Sequence, residues 1–502
     1  MNYNIISKAL FTTIFLLNQF LAFGQIKIGE FTESTDCPVN LPANLVMGEN
    51  FKFGYVHVPE LHNGAESKTI KLAVAIFPCE NPETSLEPLV MNTSGPGKSN
   101  LDNFIPDIAG ELGKYILPRR DVVIIELRGL RYSSSFLRCE EVFEANLNML
   151  DENLSFEESI ENLRKALASS KESFDKKNIN LAAYNNAETA KDIHMVMDAL
   201  GYKKFSLVGS SAGTLVAHHV INENPDRIRC AILDAGLPRD SKLLTQYVPS
   251  IVNSLKNYFD ECRKDSLCNN GFPDLEERFL EKIEKLNENP EEITVINDKT
   301  KDEIKVLVNG YRLSEHVLLN MFYSTQIPLL IGNIVDGDYS SFNDFARGKI
   351  TPRYFADGLG YTVFNHEAGN FSDNDILIDP KYQTFAEGIC LSGLGGKYLL
   401  EVREQWKLIF NDPVYQGAPK TYNTPVLVLN GKYDPVIPVP FDEILRNRYP
   451  NSYIYRFDGV AHSAFDNATQ CVLPMMLEFL HNPDIAPNSD CMDSFEQVYK
   501  FK

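Results

Sequence analysis

Three residues in this chain have the types and order needed for acyl transfer by a serine nucleophile. Ser211 is the central residue of the G-x-S-x-G pattern at 209–213, and Asp434 and His462 follow it along the chain. A serine hydroxyl is a poor nucleophile at neutral pH, so it needs a base, and that base needs an orienting carboxylate. We therefore predict Ser211 as the nucleophile, His462 as the base and Asp434 as the acid.

The residues around Ser211 predict a sharp turn between a strand and a helix. Apolar residues at 205–208 suit a buried strand, and a helix is expected from about 213 to 224, where Pro225 follows. Gly209 and Gly213 remove side chains that would collide as the strand and helix pack together. The turn presents the Ser211 hydroxyl at the end of the strand and directs the backbone amide of Ala212 at a developing oxyanion.

Asp434 and His462 each follow a predicted core strand. The apolar run 426–429 precedes Asp434, and the run 453–457 precedes His462. Taken singly, an aspartate before proline is usually a turn residue and a loop histidine is usually exposed. Their order and their positions after strands favour the catalytic interpretation. Of the other histidines, His481 lies at a helix end, and His218 and His219 lie within the helix that follows Ser211.

A second oxyanion donor is predicted in the loop 93–97. This loop follows the apolar strand 88–92 and contains Gly95, Pro96 and Gly97. The amide of Gly95 can approach a substrate oxygen closely because glycine has no side chain. The alternative is an ordinary Gly-Pro-Gly turn.

The order of strands and helices predicts a mostly parallel, doubly wound α/β sheet. Alternating segments at 51–58 and 69–76 suggest an antiparallel pair at one edge, and the apolar runs at 88–92 and 122–127 suggest strands covered on both faces. Strand and helix then alternate through 190–234. The pattern stops near Pro238 and resumes at Thr424.

The interruption is interpreted as an inserted, mainly helical cap over 239–414. The core then consists of residues 25–238 and 415–502. A separate domain is the alternative, but the return of core strands after the interruption favours an insertion. We find no internal repeat and no low-complexity segment.

The N-terminal segment 1–24 resembles a secretory signal peptide. Lys8 precedes an apolar run, and small residues at Ala22 and Gly24 suit cleavage before Gln25. An uncleaved anchor is the alternative. These features predict a secreted or periplasmic protein.

The formal net charge of −20 argues against binding nucleic acid or anionic membranes, although an acidic surface also serves solubility.

The chain has nine cysteines, which an exported protein can oxidise. Short loop-like spacing predicts a Cys262–Cys268 disulfide, and a second disulfide is predicted between Cys471 and Cys491, which bracket the C-terminal helix and its following turn. Cys230 lies in an apolar strand and is expected to be a buried thiol. The pairing of Cys37, Cys79, Cys139 and Cys390 is left open. The spacing of cysteines and histidines predicts no zinc site, and no metal or other cofactor is expected.

Over most of residues 37–495 the chain resembles the α/β-hydrolase-fold serine aminopeptidases, which include proline iminopeptidase and secreted tripeptidyl aminopeptidases. The family's Gly-Gly-Pro-Gly loop is similar to residues 94–97, with Ser94 at its first position. Its D-x-R-G-x-G-x-S segment resembles 126–133, where Glu126 comes first. The nucleophile motif departs from the family by carrying Ala212 in place of tyrosine. The C-terminal region, including its cysteine pair, is also similar.

The resemblance implies release of one or a few residues from a free peptide N-terminus. In this family an acidic residue of the cap follows a cysteine, and Glu367 occupies that place here, with Asn365 instead of the cysteine. Glu367 is therefore a candidate for binding the substrate amine, and a solvated surface charge is the alternative. The expected partner is a short peptide or a small ester. The alternative functions are carboxylic ester hydrolysis and, from another class, non-catalytic binding on a hydrolase fold.

Overall fold

The computed structural model describes residues 27–64, 67–92, 95–239, 243–368, 371–408 and 420–494. The predicted signal peptide 1–24 and its cleavage before Gln25 lie outside these residues. Within the described part of the chain, no helix is both long enough and apolar enough to cross a bilayer.

The described residues form a nine-stranded sheet and a separate two-stranded hairpin. In chain order the strands are β1 (Phe31–Glu33), β2 (Lys52–Pro59), β3 (Thr69–Phe77), β4 (Leu89–Asn92), β5 (Val122–Ile125), β6 (Phe205–Ser210), β7 (Ile228–Asp234), β8 (Glu291–Ile296), β9 (Glu303–Val308), β10 (Val426–Gly431) and β11 (Ser452–Phe457). The large sheet has the order β1-β2-β3-β5-β4-β6-β7-β10-β11.

The pairing confirms a mostly parallel sheet with an antiparallel edge. Strands β1, β2, β3 and β5 pair antiparallel to one another in that order. Every pairing from β5 onward, through β4, β6, β7 and β10 to β11, is parallel. The central strands are fully buried and near-continuously apolar, as expected where helices cover both faces.

The helices of the described residues cover the sheet and fill the long segment between β7 and β10. They are α1 (Asn100–Ala109), α2 (Glu111–Ile116), α3 (Glu140–Asn148), α4 (Phe156–Lys176), α5 (Asn186–Ala199), α6 (Ala212–Glu223), α7 (Leu243–Lys264), α8 (Ser266–Gly271), α9 (Leu275–Glu288), α10 (Gly310–Tyr323), α11 (Ile327–Val335), α12 (Phe342–Ile350), α13 (Asp357–Ala368), α14 (Gln383–Ile389), α15 (Gly396–Trp406), α16 (Pro440–Arg448) and α17 (Ala464–His481).

The segment between β7 and β10 is mainly helical, as expected for a cap, but it also contains the hairpin β8–β9. The sequence interpretation missed these two strands. Helices α3 and α4, which the predicted boundaries assign to the core, pack with the cap. Arg164 of α4 forms a two-pronged pair with Glu401 of α15, and Trp406 donates its indole N–H to the carbonyl of Leu167 at 2.9 Å.

Strand register brings the ends of the central strands together. Asn92 of β4 lies beside Gly209 of β6, and Ser210 lies beside Asp234 of β7. Asp234 in turn lies beside Leu429 of β10. In a parallel sheet these carboxyl ends share one edge, and the loops that follow them can converge there.

Candidate active site

The turn at Ser211 has the strained geometry predicted from the sequence. Ser211 has φ 51° and ψ −120°, a left-handed conformation that non-glycine residues rarely adopt. A Cβ at Gly209 would lie 2.5 Å from the carbonyl oxygen of Gly213, so strand and helix pack this closely only with glycine there. The amide of Ser211 donates to the carbonyl of Asp234 at 2.8 Å, which ties the turn to β7.

Asp434 and His462, which are 28 residues apart, meet at this edge of the sheet. Nδ1 of His462 lies 2.7 Å from Oδ2 of Asp434. The other carboxylate oxygen, Oδ1, accepts the backbone amides of Val436 at 2.9 Å and Ile437 at 3.0 Å. The backbone amides therefore fix the carboxylate, and the carboxylate orients the imidazole with Nε2 available to a nucleophile.

A cap helix covers His462. The Phe322 ring of α10 packs against the imidazole in a T-shaped arrangement with 5.0 Å between centroids, and the amide of His462 donates to the carbonyl of Phe322 at 3.2 Å. These contacts remove water from one side of the ring. Helix α10 thus takes part in holding the predicted base.

We expect kcat/KM for a hydrolysed substrate to fall with decreasing pH through a midpoint above 6.5. Burial opposes protonation of His462, but the charge and hydrogen bond of Asp434, with the charges of Asp234 and Asp466, outweigh it and raise the pKa of His462. Only neutral imidazole can accept the serine proton, so a raised pKa moves the acid limb to higher pH. A pH–rate profile checks this; a midpoint at or below 6.5 would contradict it.

The predicted oxyanion donors lie at the ends of β4 and β6. Ala212 is the first residue of α6, and Gly95 has φ 72°, a conformation suited to glycine.

The buried carboxylate of Glu126, just after β5, accepts the Ser99 hydroxyl at 3.1 Å and the Leu101 amide at 3.2 Å. Glu126 thereby anchors the chain that follows the Gly95 loop. Burial raises the pKa of Glu126 to about 7 against the effect of these hydrogen bonds.

Asp234 links the Ser211 turn to the His462 loop, a role that the sequence interpretation missed. Its side chain is 2% exposed and accepts the Ser463 hydroxyl at 2.6 Å, the Ala464 amide at 2.7 Å and the Ser210 hydroxyl at 3.3 Å. Burial raises the pKa of Asp234 to about 6 although these hydrogen bonds oppose the rise. An aspartate at the end of an apolar strand was a visible signal, since Asp434 was selected for its position after such a strand.

Replacing Asp234 with asparagine is expected to lower kcat about 100-fold with a smaller effect on KM. The change weakens the contacts that hold His462 beside the turn, and displacement by about 1 Å costs on the order of that factor. It also removes a negative charge near His462, so the acid limb of the pH profile should move to lower pH. Steady-state kinetics over a pH series measure both effects.

The partner variant Ser463→Ala provides the control for Asp234→Asn. If Asp234 acts through Ser463, the double variant should lose less activity than the product of the two single losses. A fully wild-type kcat and pH midpoint in Asp234→Asn would show that the Asp234 contacts do not position the base.

Glu367 is not a solvated surface charge, so that alternative was wrong. It is 4% exposed, and its Oε1 lies 2.8 Å from both Nε2 of His219 and Nδ2 of Asn186, while Oε2 lies 3.8 Å from Nε of Arg239. Burial acts to raise the pKa of Glu367, but His219 and Arg239 outweigh it and hold the pKa far below its ordinary value. Binding of a substrate amine stays a prediction, and an ammonium would compete with these partners.

Replacing Glu367 with glutamine is expected to lower the free energy of unfolding at pH 7 by about 3 kcal/mol, because it removes the buried carboxylate charge that faces His219 and Arg239. Because the pKa of Glu367 is depressed in the folded protein, its contribution to stability is fully present above the pKa that it has in the unfolded chain. The contribution is lost as pH falls through the pKa of Glu367 in the folded protein. Denaturant titrations at pH 7 and at lower pH measure it. The exposed Glu404→Gln change is the matched control, expected within about 0.5 kcal/mol of wild type.

Both predicted disulfides are present. Cys262 is bonded to Cys268, and Cys471 is bonded to Cys491. Cys230 is a buried free thiol, as expected, and the cysteines whose pairing was left open are also free: Cys37, Cys79, Cys139 and Cys390. Within the described ranges, no group of three or more histidine, cysteine, aspartate or glutamate side chains could hold a metal ion.

The fold and the arrangement of the strand ends define an α/β hydrolase. The chain belongs to this family, because the model of the alpha/beta hydrolase fold matches residues 87–469. Serine protease Hip1 of Mycobacterium tuberculosis and of Mycobacterium bovis is 25% identical to this chain over 256 residues, which are 48% of this chain and 47% of the relative. The chain thus spans about half the length of the curated relatives it matches.

Solved structures of low sequence identity are also similar. Proline iminopeptidase of Mycobacterium smegmatis aligns with a TM-score of 0.43 and 13% identity, over 86% of this chain and 98% of that one. The esterase EaEST of Exiguobacterium antarcticum aligns with a TM-score of 0.36 and 13% identity, over 82% of this chain and 96% of that one.

Proposed function

We propose that the protein is an exported serine hydrolase that releases one or a few residues from the N-termini of short peptides through an acyl-enzyme. The observation that carries the proposal is the 2.7 Å hydrogen bond between His462 and Asp434 at the sheet edge where Ser211 occupies its strained turn. This combination supplies an oriented base at the same sheet edge as the serine turn, which is what a serine nucleophile requires.

In the proposed reaction, Nε2 of His462 removes the proton from the Ser211 hydroxyl as its oxygen attacks the substrate carbonyl. The amides of Gly95 and Ala212 stabilise the oxyanion. His462 then donates the proton to the leaving amine, and the acyl group remains on Ser211. Water, deprotonated by His462, attacks the acyl-enzyme, and the proton returns to Ser211 as the acid product leaves.

We propose peptides as the substrate class for two reasons. The resemblance to serine aminopeptidases extends over most of the chain, and the relatives with sequence similarity are named serine proteases. Export is supported by the signal-like segment 1–24 and by the two disulfides, which persist in oxidising compartments.

Carboxylic ester hydrolysis is the second candidate. Ala212 replaces the tyrosine of the aminopeptidase motif, and Ser94 replaces a glycine of its oxyanion loop. The first departure lies at the residue directly after the proposed nucleophile. Acyl transfer to water uses the same nucleophile, base and oxyanion donors for esters and amides.

The test is a panel of aminoacyl and peptidyl anilides with free or acetylated amino ends, together with short-chain p-nitrophenyl esters. The assays use the chain from Gln25 onward, which is the start that cleavage of the proposed signal peptide would leave, and Ser211→Ala measures background hydrolysis. The aminopeptidase proposal expects kcat/KM at least about 10-fold higher for free amino ends. Equal cleavage of free and acetylated anilides would remove it, and turnover of esters alone would establish the second candidate. Failure to react with a fluorophosphonate probe would instead favour a non-catalytic binding protein.

A further inference from the structure

A short turn carries the proposed oxyanion donor Gly95. The turn spans residues 95–98 and is closed by a hydrogen bond from the amide of Lys98 to the carbonyl of Gly95 at 3.2 Å. Pro96 restricts the backbone within the turn, because its ring fixes φ. The turn therefore moves as a unit, and a contact on its central residues also sets the direction of the Gly95 amide.

The segment 354–360, which includes the first turn of α13, packs directly on the central residues of this turn. The amide of Ala356 donates to the carbonyl of Gly97 at 3.0 Å. A Cβ added at Gly97 would lie 2.8 Å from the carbonyl oxygen of Ala356, and a Cβ added at Gly360 would lie 2.8 Å from the carbonyl oxygen of Pro96. Both glycines are therefore needed for backbone to pack on backbone at this distance.

Tyr354, at the start of the segment, is joined to α1 through Arg131. The guanidinium carbon of Arg131 lies 3.7 Å from the centroid of the Tyr354 ring. Nη1 of Arg131 lies 3.1 Å from Oδ2 of Asp102, and the hydroxyl of Tyr132 donates to Oδ1 of the same carboxylate at 2.7 Å. Asp102 belongs to α1, which begins at Asn100, just after the turn. The segment 354–360 is thus held both on the turn and on the helix that follows it.

The contact between Tyr354 and Arg131 lies at the surface. Tyr354 is 56% exposed. A cation over an exposed aromatic ring contributes little to the stability of a whole domain. Loss of the Tyr354 ring can therefore shift the segment 354–360 without unfolding the protein.

Oxyanion stabilisation depends steeply on the position of the donors. Loss of one donor lowers kcat by about 10²–10³-fold, and a displacement of about 1 Å in a reacting geometry costs on the order of 10²-fold. A shift of the turn 95–98 by a fraction of an ångström should therefore produce a measurable loss of kcat.

We propose that the segment 354–360 positions the oxyanion donor. Ala356 and Gly360 hold the turn 95–98, and the contact of Tyr354 with Arg131 holds the segment. These are positioning residues, because they act through Gly95. The inference rests on the proposed function, since it requires an oxyanion to form when Ser211 attacks a carbonyl. It applies equally to peptides and esters, which form the same kind of oxyanion.

The first test introduces one methyl group between α13 and the turn. Gly360→Ala places its Cβ against the carbonyl oxygen of Pro96. Gly271→Ala in α8 is the matched control, because a Cβ there would have no neighbour within 4 Å among the described residues outside its own helix. The measurements are kcat and KM for the anilide or p-nitrophenyl ester that the wild-type chain hydrolyses fastest. The rate of fluorophosphonate labelling of Ser211 provides a readout without turnover.

A second set of variants tests the contact of Tyr354 with Arg131. Tyr354→Ala removes the ring, and Tyr354→Phe retains the ring face that the guanidinium contacts. Tyr115→Ala, at a similarly exposed tyrosine of α2, is the control.

We expect kcat to fall at least about 10-fold in Gly360→Ala and several-fold in Tyr354→Ala, with KM within about twofold of wild type. The labelling rate should fall in parallel, because the phosphoryl oxygen of the probe occupies the same oxyanion site. Tyr354→Phe, Gly271→Ala and Tyr115→Ala should stay within about twofold of wild type in kcat. The melting temperature of Tyr354→Ala should remain near that of wild type.

Three results would overturn the inference in a chain that hydrolyses substrate through Ser211. These are wild-type kcat and labelling in both Gly360→Ala and Tyr354→Ala, a loss that appears in KM alone, and equal losses in Tyr354→Phe and Tyr354→Ala. A wild-type chain that neither hydrolyses the panel nor reacts with the probe would instead overturn the proposed function, and this inference with it. Should Gly360→Ala not fold, the two Tyr354 variants decide the outcome.

Discussion

Replacing Ser211 with alanine is expected to reduce kcat for any hydrolysed substrate by about 10⁴-fold or more. The change removes the only atom that forms the acyl bond in the proposed mechanism, and it leaves the oxyanion donors and the binding site. Alanine fits the left-handed turn as well as serine does, since the backbone in both residues carries the same unbranched Cβ. Steady-state kinetics and loss of fluorophosphonate labelling measure the effect, and the melting temperature should remain near that of wild type.

The neighbouring serine provides the control for Ser211→Ala. Ser210→Ala removes only a 3.3 Å hydrogen bond to Asp234, so we expect a change in kcat of no more than several-fold. Wild-type activity in Ser211→Ala, or an equal loss in Ser210→Ala, would contradict the assignment of the nucleophile.

Replacing Asp434 with asparagine is expected to lower kcat by about 10⁴-fold, the effect known for the wrong histidine tautomer in serine hydrolases. The structure explains why the asparagine would adopt the inactive orientation. The amides of Val436 and Ile437 would retain the oxygen, which places the NH₂ group opposite Nδ1 of His462. The imidazole would then carry its proton on Nε2 and could not accept one from Ser211.

The kinetic test compares Asp434→Asn with Asp458→Asn, an exposed aspartate near the same strand ends whose loss should change kcat by less than about twofold. The acid limb of the pH profile should also move to lower pH in Asp434→Asn, because the charge that raises the pKa of His462 is gone. A larger loss in Asp234→Asn than in Asp434→Asn would transfer the role of the acid to Asp234.

The fold and the candidate triad were predictable because their signals are local. Each residue follows a short apolar run, and a parallel sheet collects the ends of such runs at one edge. The turn at Ser211 required only the glycines on either side. The hairpin β8–β9 was not predictable in the same way, because several of its residues are exposed and its pattern of apolar and polar residues is weak.

The burial of Glu367 was also hidden from the sequence. Its partners His219 and Asn186 lie 148 and 181 residues away, so nothing near Glu367 distinguishes it from an exposed helical glutamate. The packing of α3 and α4 against the cap was missed for the same reason, since Arg164 and Glu401 are separated by 237 residues. Contacts at such separations depend on how the cap folds back over the core.

The sequence by itself predicted the family, the strand and turn around Ser211 and the positions of Asp434 and His462 after core strands, because these follow from short apolar runs and glycines that act locally. Only the tertiary structure decided that Asp234 ties the Ser211 turn to the His462 loop and that Phe322 of the cap packs on the base. It also decided that the carboxylate of Glu367 is buried beside the basic side chains of His219 and Arg239. Side-chain pairing across more than a hundred residues is a property of packing, and a linear pattern carries no record of it.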